Sequence, residues 1–135
     1  MSKIIKPEDR NIYETEVASC WRDDDGIVYL LSKNVERTIE NYQPLFDVYR
    51  ELSENGDKKI CLIGDLTKAA PPNHEVRDYI SNELPKYIKA MALVSETQVG
   101  KVVANIFTKV NEQSYPREVF DNVSDAKLWL QKYLD

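Results

Sequence analysis

The feature that most limits the fold of this chain is the alternation of strand and helix patterns in its last third. Residues 89–134 read KAMALVSETQVGKVVANIFTKVNEQSYPREVFDNVSDAKLWLQKYL. Ala90–Val94 is an unbroken apolar run, typical of a strand buried on both faces, and Arg117–Phe120 is a second, shorter strand pattern. An amphipathic helix pattern follows each of them. This alternation predicts a sheet covered by helices.

Further strand patterns lie upstream. Thr15–Trp21 and Ile27–Leu31 flank the dipeptide Asp25-Gly26, which is typical of tight turns and predicts an antiparallel hairpin. The apolar run Ile60–Ile63, followed by Gly64-Asp65, predicts a central strand of the sheet.

A helix is predicted from about Glu36 to Asn55, because apolar residues recur there at spacings of three and four. Pro44 lies inside this pattern and predicts either a kink or a division into two helices. Asn55-Gly56 is a natural stop signal for the helix. The apolar stripe consists of Val35, Ile39, Tyr42, Phe46, Tyr49 and Leu52.

The remaining helices have recognisable start signals. Asn73 is placed to cap a helix that ends at about Leu84, ahead of Pro85. The tetrapeptide Ser95–Gln98 matches a capping box for the following helix. For the last helix, both Asp121 and Ser124 fit the cap position, and the pattern leaves the choice open.

The predicted fold class is therefore α/β, with the order β-β-α-β-α-β-α-β-α. We expect a mixed sheet of about five strands, covered by helices in two or three layers. A length of 135 residues fits one hydrophobic core. We predict a loose N-terminal leader over residues 1–12 and a single domain over residues 13–135.

Composition excludes several classes of function. The net charge of −5 disfavours nucleic acid and anionic membrane surfaces as partners, and no apolar stretch reaches the length of a membrane span. Together with the absence of a signal-peptide pattern, this predicts a cytoplasmic protein without membrane insertion. Cys20 and Cys61 are expected to be buried free thiols. We predict no cofactor and no metal, since neither His74 nor the triplet 23–25 has ligand partners at suitable spacing.

Several residues also carry a family resemblance. Over residues 14–134 the chain resembles small uncharacterised bacterial domains grouped with the STAS-like folds (sulfate transporter and anti-sigma antagonist), of the anti-anti-sigma factor or SpoIIAA-like type. The resemblance implies an α/β domain that interacts with other proteins. It is carried by Asp65-Leu66, Ala90–Val94, Asn105-x-Phe107-x-Lys109-x-Asn111, Tyr115-Pro116, Phe120 and Ala126 with Trp129-Leu130.

One property of the anti-anti-sigma factors does not carry over. In those proteins a serine or threonine at the start of the helix after the central strand is phosphorylated, and the added charge switches partner binding. Here Asn73-His74 lie near that place, and the nearby hydroxyls of Thr67 and Thr97 do not match the motif. We therefore predict a domain without this phosphorylation switch.

The candidate ligand or partner surface lies where the central strands end, because ligands of open α/β sheets bind outside the carboxyl ends of the strands. Asp65 could instead organise its loop by accepting backbone hydrogen bonds. Asn105, Lys109 and Asn111 lie on the next helix or just past it. They could form a contact surface, or they could instead cap the helix and order the loop after it. The full candidate set is Asp65, Thr67, Lys68, Asn73, Ser95, Asn105, Lys109 and Asn111.

The leading functional hypothesis is a non-catalytic protein-interaction or signalling module, with a protein partner and a possible homodimer. No catalytic constellation is visible, so we predict that the protein is not an enzyme. The alternative is a small-molecule or lipid-binding module, which needs an apolar pocket with a few convergent polar groups. A hydrolase that uses Asp65 is a third hypothesis, and it needs a second titratable group within hydrogen-bond reach.

Overall fold

The computed structural model describes residues 4, 6–68, 72–109 and 115–134; for residues 99, 103 and 106–109 it describes the backbone alone. The described chain forms one six-stranded sheet and four α-helices. Two 3-10 turns, Leu84–Lys86 and Gln131–Tyr133, extend the second and fourth helices. The strands are β1 Tyr13–Glu14, β2 Ala18–Arg22, β3 Val28–Ser32, β4 Ile60–Asp65, β5 Ile88–Val94 and β6 Arg117–Phe120. The helices are α1 Ile39–Leu52, α2 His74–Glu83, α3 Gln98–Lys109 and α4 Val123–Leu130.

Strands follow one another across the sheet in chain order, β1 to β6. The pairs β1–β2 and β2–β3 are antiparallel, and the pairs from β3 to β6 are parallel. This confirms the predicted α/β class and the mixed sheet. The strand count is six rather than about five, because β1 has two residues, too few to produce a readable alternation in the sequence.

The helices cover the sheet unequally. The crossovers β3-α1-β4, β4-α2-β5 and β5-α3-β6 all step in the same direction, and crossovers of this kind are almost always right-handed, so α1, α2 and α3 lie on one face. α4 follows β6 and packs on the opposite face through Ala126 and Leu130. The domain therefore has three layers.

Helix α1 is continuous from Ile39 to Leu52, so of the two alternatives predicted for Pro44, a kink or a division, the division is wrong. Pro44 lies in the second turn, and the helix start is secured by a reciprocal cap. The Thr38 side chain accepts a hydrogen bond from the Asn41 backbone at 3.0 Å, and the Asn41 side chain accepts one from the Thr38 backbone at 2.9 Å. This cap offsets part of the cost of the single backbone donor that proline removes.

Two predicted caps are wrong in detail. α3 begins after Thr97, whose Oγ1 accepts a hydrogen bond from the Gly100 backbone at 3.0 Å, so Ser95 lies ahead of the helix. α4 is capped by Asn122, whose side chain accepts a hydrogen bond from the Asp125 backbone at 2.8 Å. Neither Asp121 nor Ser124 occupies that position. The predicted cap of α2 is correct, since Asn73 accepts a hydrogen bond from the Val76 backbone at 2.9 Å.

The hairpin between β2 and β3 is confirmed, and Asp23 organises its turn. A side-chain oxygen of Asp23 accepts hydrogen bonds from the backbones of Asp25 and Ile27, each at 2.9 Å. Gly26 has a φ of +90°, which a glycine adopts at little cost. Ahead of the sheet, Arg10 donates to the Arg22 carbonyl at 2.9 Å, so the described part of the N-terminal segment contacts the hairpin.

Cys20 and Cys61 are buried and form no disulfide, as predicted, and they lie on opposite faces of the sheet. Burial raises the pKa of the Cys20 thiol to about 12, so it stays protonated at neutral pH. None of the helices in the described ranges is long and apolar enough to cross a bilayer.

Candidate functional site

The predicted site residues at the ends of β4 and β5 meet in a compact hydrogen-bonded cluster. A side-chain oxygen of Asp65 accepts a hydrogen bond from the Thr67 backbone at 2.8 Å, the loop-ordering arrangement typical of aspartate in turns. Thr67 in turn connects the two loops, because its Oγ1 accepts a hydrogen bond from the Glu96 backbone at 3.1 Å. The Thr97 hydroxyl donates to the Thr67 carbonyl at 3.2 Å.

Ser95 lies at the bottom of this cluster and is buried. Its hydroxyl accepts a hydrogen bond from the Thr97 backbone and donates one to the Thr97 carbonyl, both at 3.1 Å. Gly100 packs directly above it, since a Cβ added there would lie 2.5 Å from the Leu66 carbonyl oxygen and also overlap Ser95. The hydroxyl groups of this edge are therefore engaged in holding the two loops and the start of α3 together.

The strand order accounts for the contact between the described parts of these two loops. In doubly wound sheets a crevice forms where the strand order reverses and neighbouring loops diverge to opposite faces. Here the order from β3 to β6 does not reverse, and α2 and α3 leave the sheet toward the same face. The loops after β4 and β5 consequently pack against each other instead of separating.

The other predicted residues lie around this cluster. Lys68 and Asn73 are exposed beside it, Lys68 in the loop after β4 and Asn73 at the start of α2. Asn105 is exposed on α3, away from the loops. Lys109 is the last residue of α3, where the backbone alone is described, and Asn111 lies outside the described residues.

No group of three histidine, cysteine, aspartate or glutamate side chains within the described ranges could hold a metal ion. His74 is exposed at the first position of α2, and its Nε2 lies 3.1 Å from a carboxylate oxygen of Asp78 on the same helix. The pair is a surface contact between side chains four residues apart.

A cavity of about 60 Å³, partly open to solvent, lies between the sheet and helices α1 and α2. Most of its wall is apolar, and residues from four strands, β2 to β5, and from both helices contribute to it. Leu66 is among them, so the cavity reaches beneath the cluster at the ends of β4 and β5. Its apolar wall includes Leu30, Phe46, Leu62, Ile80, Met91 and Leu93.

Three buried polar side chains also line this cavity: Ser32, Arg37 and Tyr49. The Arg37 side chain donates one hydrogen bond, from Nη1 to the Val17 carbonyl at 3.1 Å, and the residue is 6% exposed. Within the described parts of the chain, no carboxylate pairs with it. The hydroxyls of Ser32 and Tyr49 make no hydrogen bond to another described residue. Burial holds the pKa of Tyr49 well above its usual value, so its hydroxyl remains a hydrogen-bond donor.

Sequence reasoning missed this cavity. Arg37 precedes the α1 cap in a polar stretch, and nothing in that stretch distinguishes it from a surface arginine. It is buried because its guanidinium reaches Val17, twenty residues earlier in the chain. The helical periodicity gave no signal either, because a residue two positions from Val35 and Ile39 does not share their face of a helix.

The fold defines the class of protein: a three-layer α/β domain with the STAS-like, SpoIIAA-like architecture. A crystal structure of an uncharacterised protein of the DUF3478 family with a SpoIIAA-like fold, from Shewanella loihica PV-4, matches with a TM-score of 0.63. That match covers 93% of this chain and 98% of the other at 13% sequence identity, which shows a common fold.

The family is shown separately by sequence. Residues 20–134 match the model of a domain of unknown function, DUF7793, and the chain belongs to that family. No curated protein matches the sequence. The predicted STAS-like relationship is thereby confirmed at the level of the fold.

Proposed function

We propose that this domain is a non-catalytic interaction module whose partner is another protein. The observation that carries the proposal is the engagement of Thr67, Ser95 and Thr97 with each other at the carboxyl edge of the sheet. A nucleophile needs a neighbouring base and free space for the substrate. Hydroxyls that hold two loops together supply instead a rigid platform, and rigid platforms suit protein recognition because little ordering is needed on binding.

The platform has an outward surface of mixed polarity. Lys68 and Asn73 are exposed on it, and the adjoining first turns of α3 present Val102, whose side chain is 56% exposed. An exposed aliphatic side chain at this position offers apolar surface that a protein partner could cover. In anti-anti-sigma factors, which this chain resembles, partner binding is controlled at the start of the helix after the central strand, which here is the start of α2 beside Asn73.

A matched pair of variants tests this surface. Leu128 is 75% exposed on α4, on the opposite face of the sheet from Val102 on α3. Cells of the source organism would express the tagged wild-type chain, Val102→Glu or Leu128→Glu, and crosslinked partners would be quantified by mass spectrometry. We expect one partner to be lost with Val102→Glu and kept with Leu128→Glu. The same partners with all three chains would contradict the proposal.

The predicted homodimer and the cytoplasmic location remain part of this proposal. A second copy would find an unpaired strand edge at β6, the outermost parallel strand of the described sheet. Molar mass measured by light scattering over a range of concentrations distinguishes a dimer from a monomer. A constant monomer mass would leave another protein as the only partner in the proposal.

A second candidate function is favoured by one specific observation, the cavity that contains the Arg37 side chain. A binding site for a small molecule typically combines an apolar wall with a few placed polar groups. The cavity of about 60 Å³ is far smaller than the roughly 300–1,000 Å³ of sites for drug-sized ligands, so a small ligand fits better than a long-chain lipid. Native mass spectrometry of freshly purified protein tests this candidate, because a bound ligand adds a discrete mass.

A further inference from the structure

We propose that two copies of this chain pair through the outer edge of β6, antiparallel and in a single register, so that their sheets become continuous. In that register Val119 of one copy lies opposite Val119 of the other. This inference deepens the homodimer part of the proposed function and rests on it. It does not depend on the protein-partner surface around Val102.

The backbone of β6 presents a pairing edge. Within the described sheet no strand lies beyond β6. The Pro116 carbonyl accepts a hydrogen bond from the Met91 backbone at 3.0 Å, so it points toward β5. Backbone groups of successive strand residues point to alternate sides, so those of Arg117 and Val119 point away from β5. An outward row of donors and acceptors is a template for another strand.

The side chains of β6 divide between the two faces of the sheet. Val119 packs on the face under α1, α2 and α3, and Phe120 packs on the face under α4. Because side chains alternate along a strand, Arg117 shares the face of Val119, and Glu118 shares the face of Phe120. A two-fold axis perpendicular to the sheet keeps each face on the same side in both copies.

Charge selects the register of the pair. With the axis at Glu118, the two Glu118 carboxylates lie directly opposite each other, and like charges in that arrangement are destabilising. An axis at Arg117 sets the two guanidinium groups against each other in the same way. With the axis at Val119, two valines meet at the centre, and Arg117 of each copy lies opposite Asp121 of the other.

Both charged residues are placed for this contact. The carboxylate of Asp121 lies 3.5 Å from the amine of Lys101 on α3, so it is on the same face as Arg117. Its side chain is 85% exposed and has room for a second cation. The Arg117 guanidinium lies 6.0 Å from the Tyr115 ring, and its five donors allow a carboxylate to bind as well. Exposed pairs of this kind contribute more to the choice of register than to affinity.

The face under α4 gains an aromatic contact in the same register. Phe120 of one copy lies diagonal to Phe120 of the other, at a spacing of roughly 7–8 Å that aromatic side chains span. Each Phe120 ring already lies 5.6 Å from the Trp129 ring of its own chain. Glu118 lies opposite Phe120 and can turn its carboxylate to solvent, since it is exposed.

The first test measures molar mass by light scattering over a range of protein concentrations. We expect a dimer that dissociates on dilution, because an edge of four residues buries little area. Val119→Pro removes a backbone donor that points away from β5, so it should abolish the dimer and keep the fold. Val119→Thr keeps the donor and should keep the dimer. A wild type that is monomeric at every concentration, or a dimeric Val119→Pro, would overturn the proposal.

A charge exchange tests the register. Arg117→Asp sets two aspartates opposite each other at both ends of the junction, and Asp121→Arg sets two arginines there. Each variant alone should therefore be monomeric at concentrations where the wild type is dimeric. An equimolar mixture restores opposite charges at both ends of a mixed dimer, so the dimer should return.

The mixture also controls for changes within one chain. Contacts with Lys101 and Tyr115 are lost equally before and after mixing, so recovery cannot come from them. Dimers formed by either variant alone, or no recovery in the mixture, would overturn the register.

Partner capture separates this inference from the platform proposal. Val119→Pro should still capture the partner that Val102→Glu loses. Monomeric wild type with unchanged capture would overturn the self-pairing alone, and identical capture by wild type and Val102→Glu would contradict the platform alone. Loss of that partner in Val119→Pro would mean that the β6 edge binds it in place of a second copy.

Discussion

The two sides of strand β5 carry side chains of different size. Met91 and Leu93 lie on the side under α1, α2 and α3, which contains the cavity. Ala90 and Ala92 lie on the side under α4, and both are fully buried. Small residues let a helix lie close to a strand, whereas larger side chains hold it further away and must interdigitate to fill the space. The candidate ligand site lies on the side where β5 carries the larger residues.

The largest expected effect comes from the aromatic cluster on the cavity face. The Phe46 ring lies 5.6 Å from that of Tyr49 and 5.5 Å from that of Tyr79, both edge-on. Phe46→Ala should lower the free energy of unfolding by about 3–5 kcal/mol, measured by urea denaturation. The exposed Leu128→Ala should change it by less than about 0.5 kcal/mol. A small loss for Phe46→Ala would mean that this face is too loosely packed to depend on its aromatic residues.

The next effect concerns the contact between α3 and the loop after β4. Gly100→Ala places a Cβ 2.5 Å from the Leu66 carbonyl oxygen, and backbone cannot move aside as a flexible side chain can. We expect a net loss of roughly 2–3 kcal/mol, even though alanine is the better helix former. Lys101→Ala on the same helix is the control, since its side chain is only half-buried. Equal stability of wild type and Gly100→Ala would show that the helix start adjusts freely.

A pair of identical changes compares the two faces directly. Ala92→Val adds two methyl groups to the α4 face, where Ala92 is fully buried, and should cost about 1–2 kcal/mol. Ala18→Val adds the same two groups next to the cavity and should be neutral or stabilise by up to about 1 kcal/mol, because it fills space. Both substitutions replace alanine by the β-branched residue valine within a strand, so the gain in strand propensity cancels when the two are compared. Equal costs for the two would remove the contrast between the faces.

The smallest expected effect is a dependence of the unfolding free energy on pH, caused by Glu14 in the edge strand β1. Hydrogen bonds from Lys6, Ser19 and Lys33 lower the pKa of Glu14 to about 2. A lowered pKa in the folded state means that this stabilisation is complete above the unfolded pKa near 4.5 and is lost as pH falls toward 2. Because Glu14 is partly exposed, the effect should stay below about 1 kcal/mol.

Glu14→Gln serves as the comparison chain for this effect. The difference in unfolding free energy between wild type and Glu14→Gln should be constant from pH 7 to about 5 and should shrink as pH falls further. A difference that grows on acidification would reverse the expected sign. Since Lys6 belongs to the segment that also carries Ile4 onto the α4 face, the result reports on how firmly that segment is held.

Most of the fold could be predicted because it depends on local patterns. The continuous apolar runs at 60–63 and 90–94 and the Asp25-Gly26 turn each contain their own signal, and the structure places strands and a hairpin there. The cap of α3 was predicted wrongly because it depends on a contact outside the local pattern. Thr97, not Ser95, caps α3, because Ser95 is drawn into the cluster beneath Gly100, a contact that depends on the neighbouring loop.

The cavity could not be predicted, since it depends on residues that are distant in sequence. Arg37 meets Val17 across twenty positions, and Leu30 meets Met91 and Leu93 only after three strands have paired. Predicting a cavity requires the volumes of side chains from at least five elements together. Residue type alone gives no measure of whether those volumes fill the space between them.

The sequential order of the strands has a consequence for how the chain is made. As a ribosome releases it, each new strand finds its neighbour already present, so the ladder can grow without waiting for later residues. The α4 face of β4 and β5 is the exception, because α4 is synthesised after all six strands. A nascent chain that ends before Val123 would display Ile63 and Ala92 to water, and light scattering of such a truncation should reveal self-association.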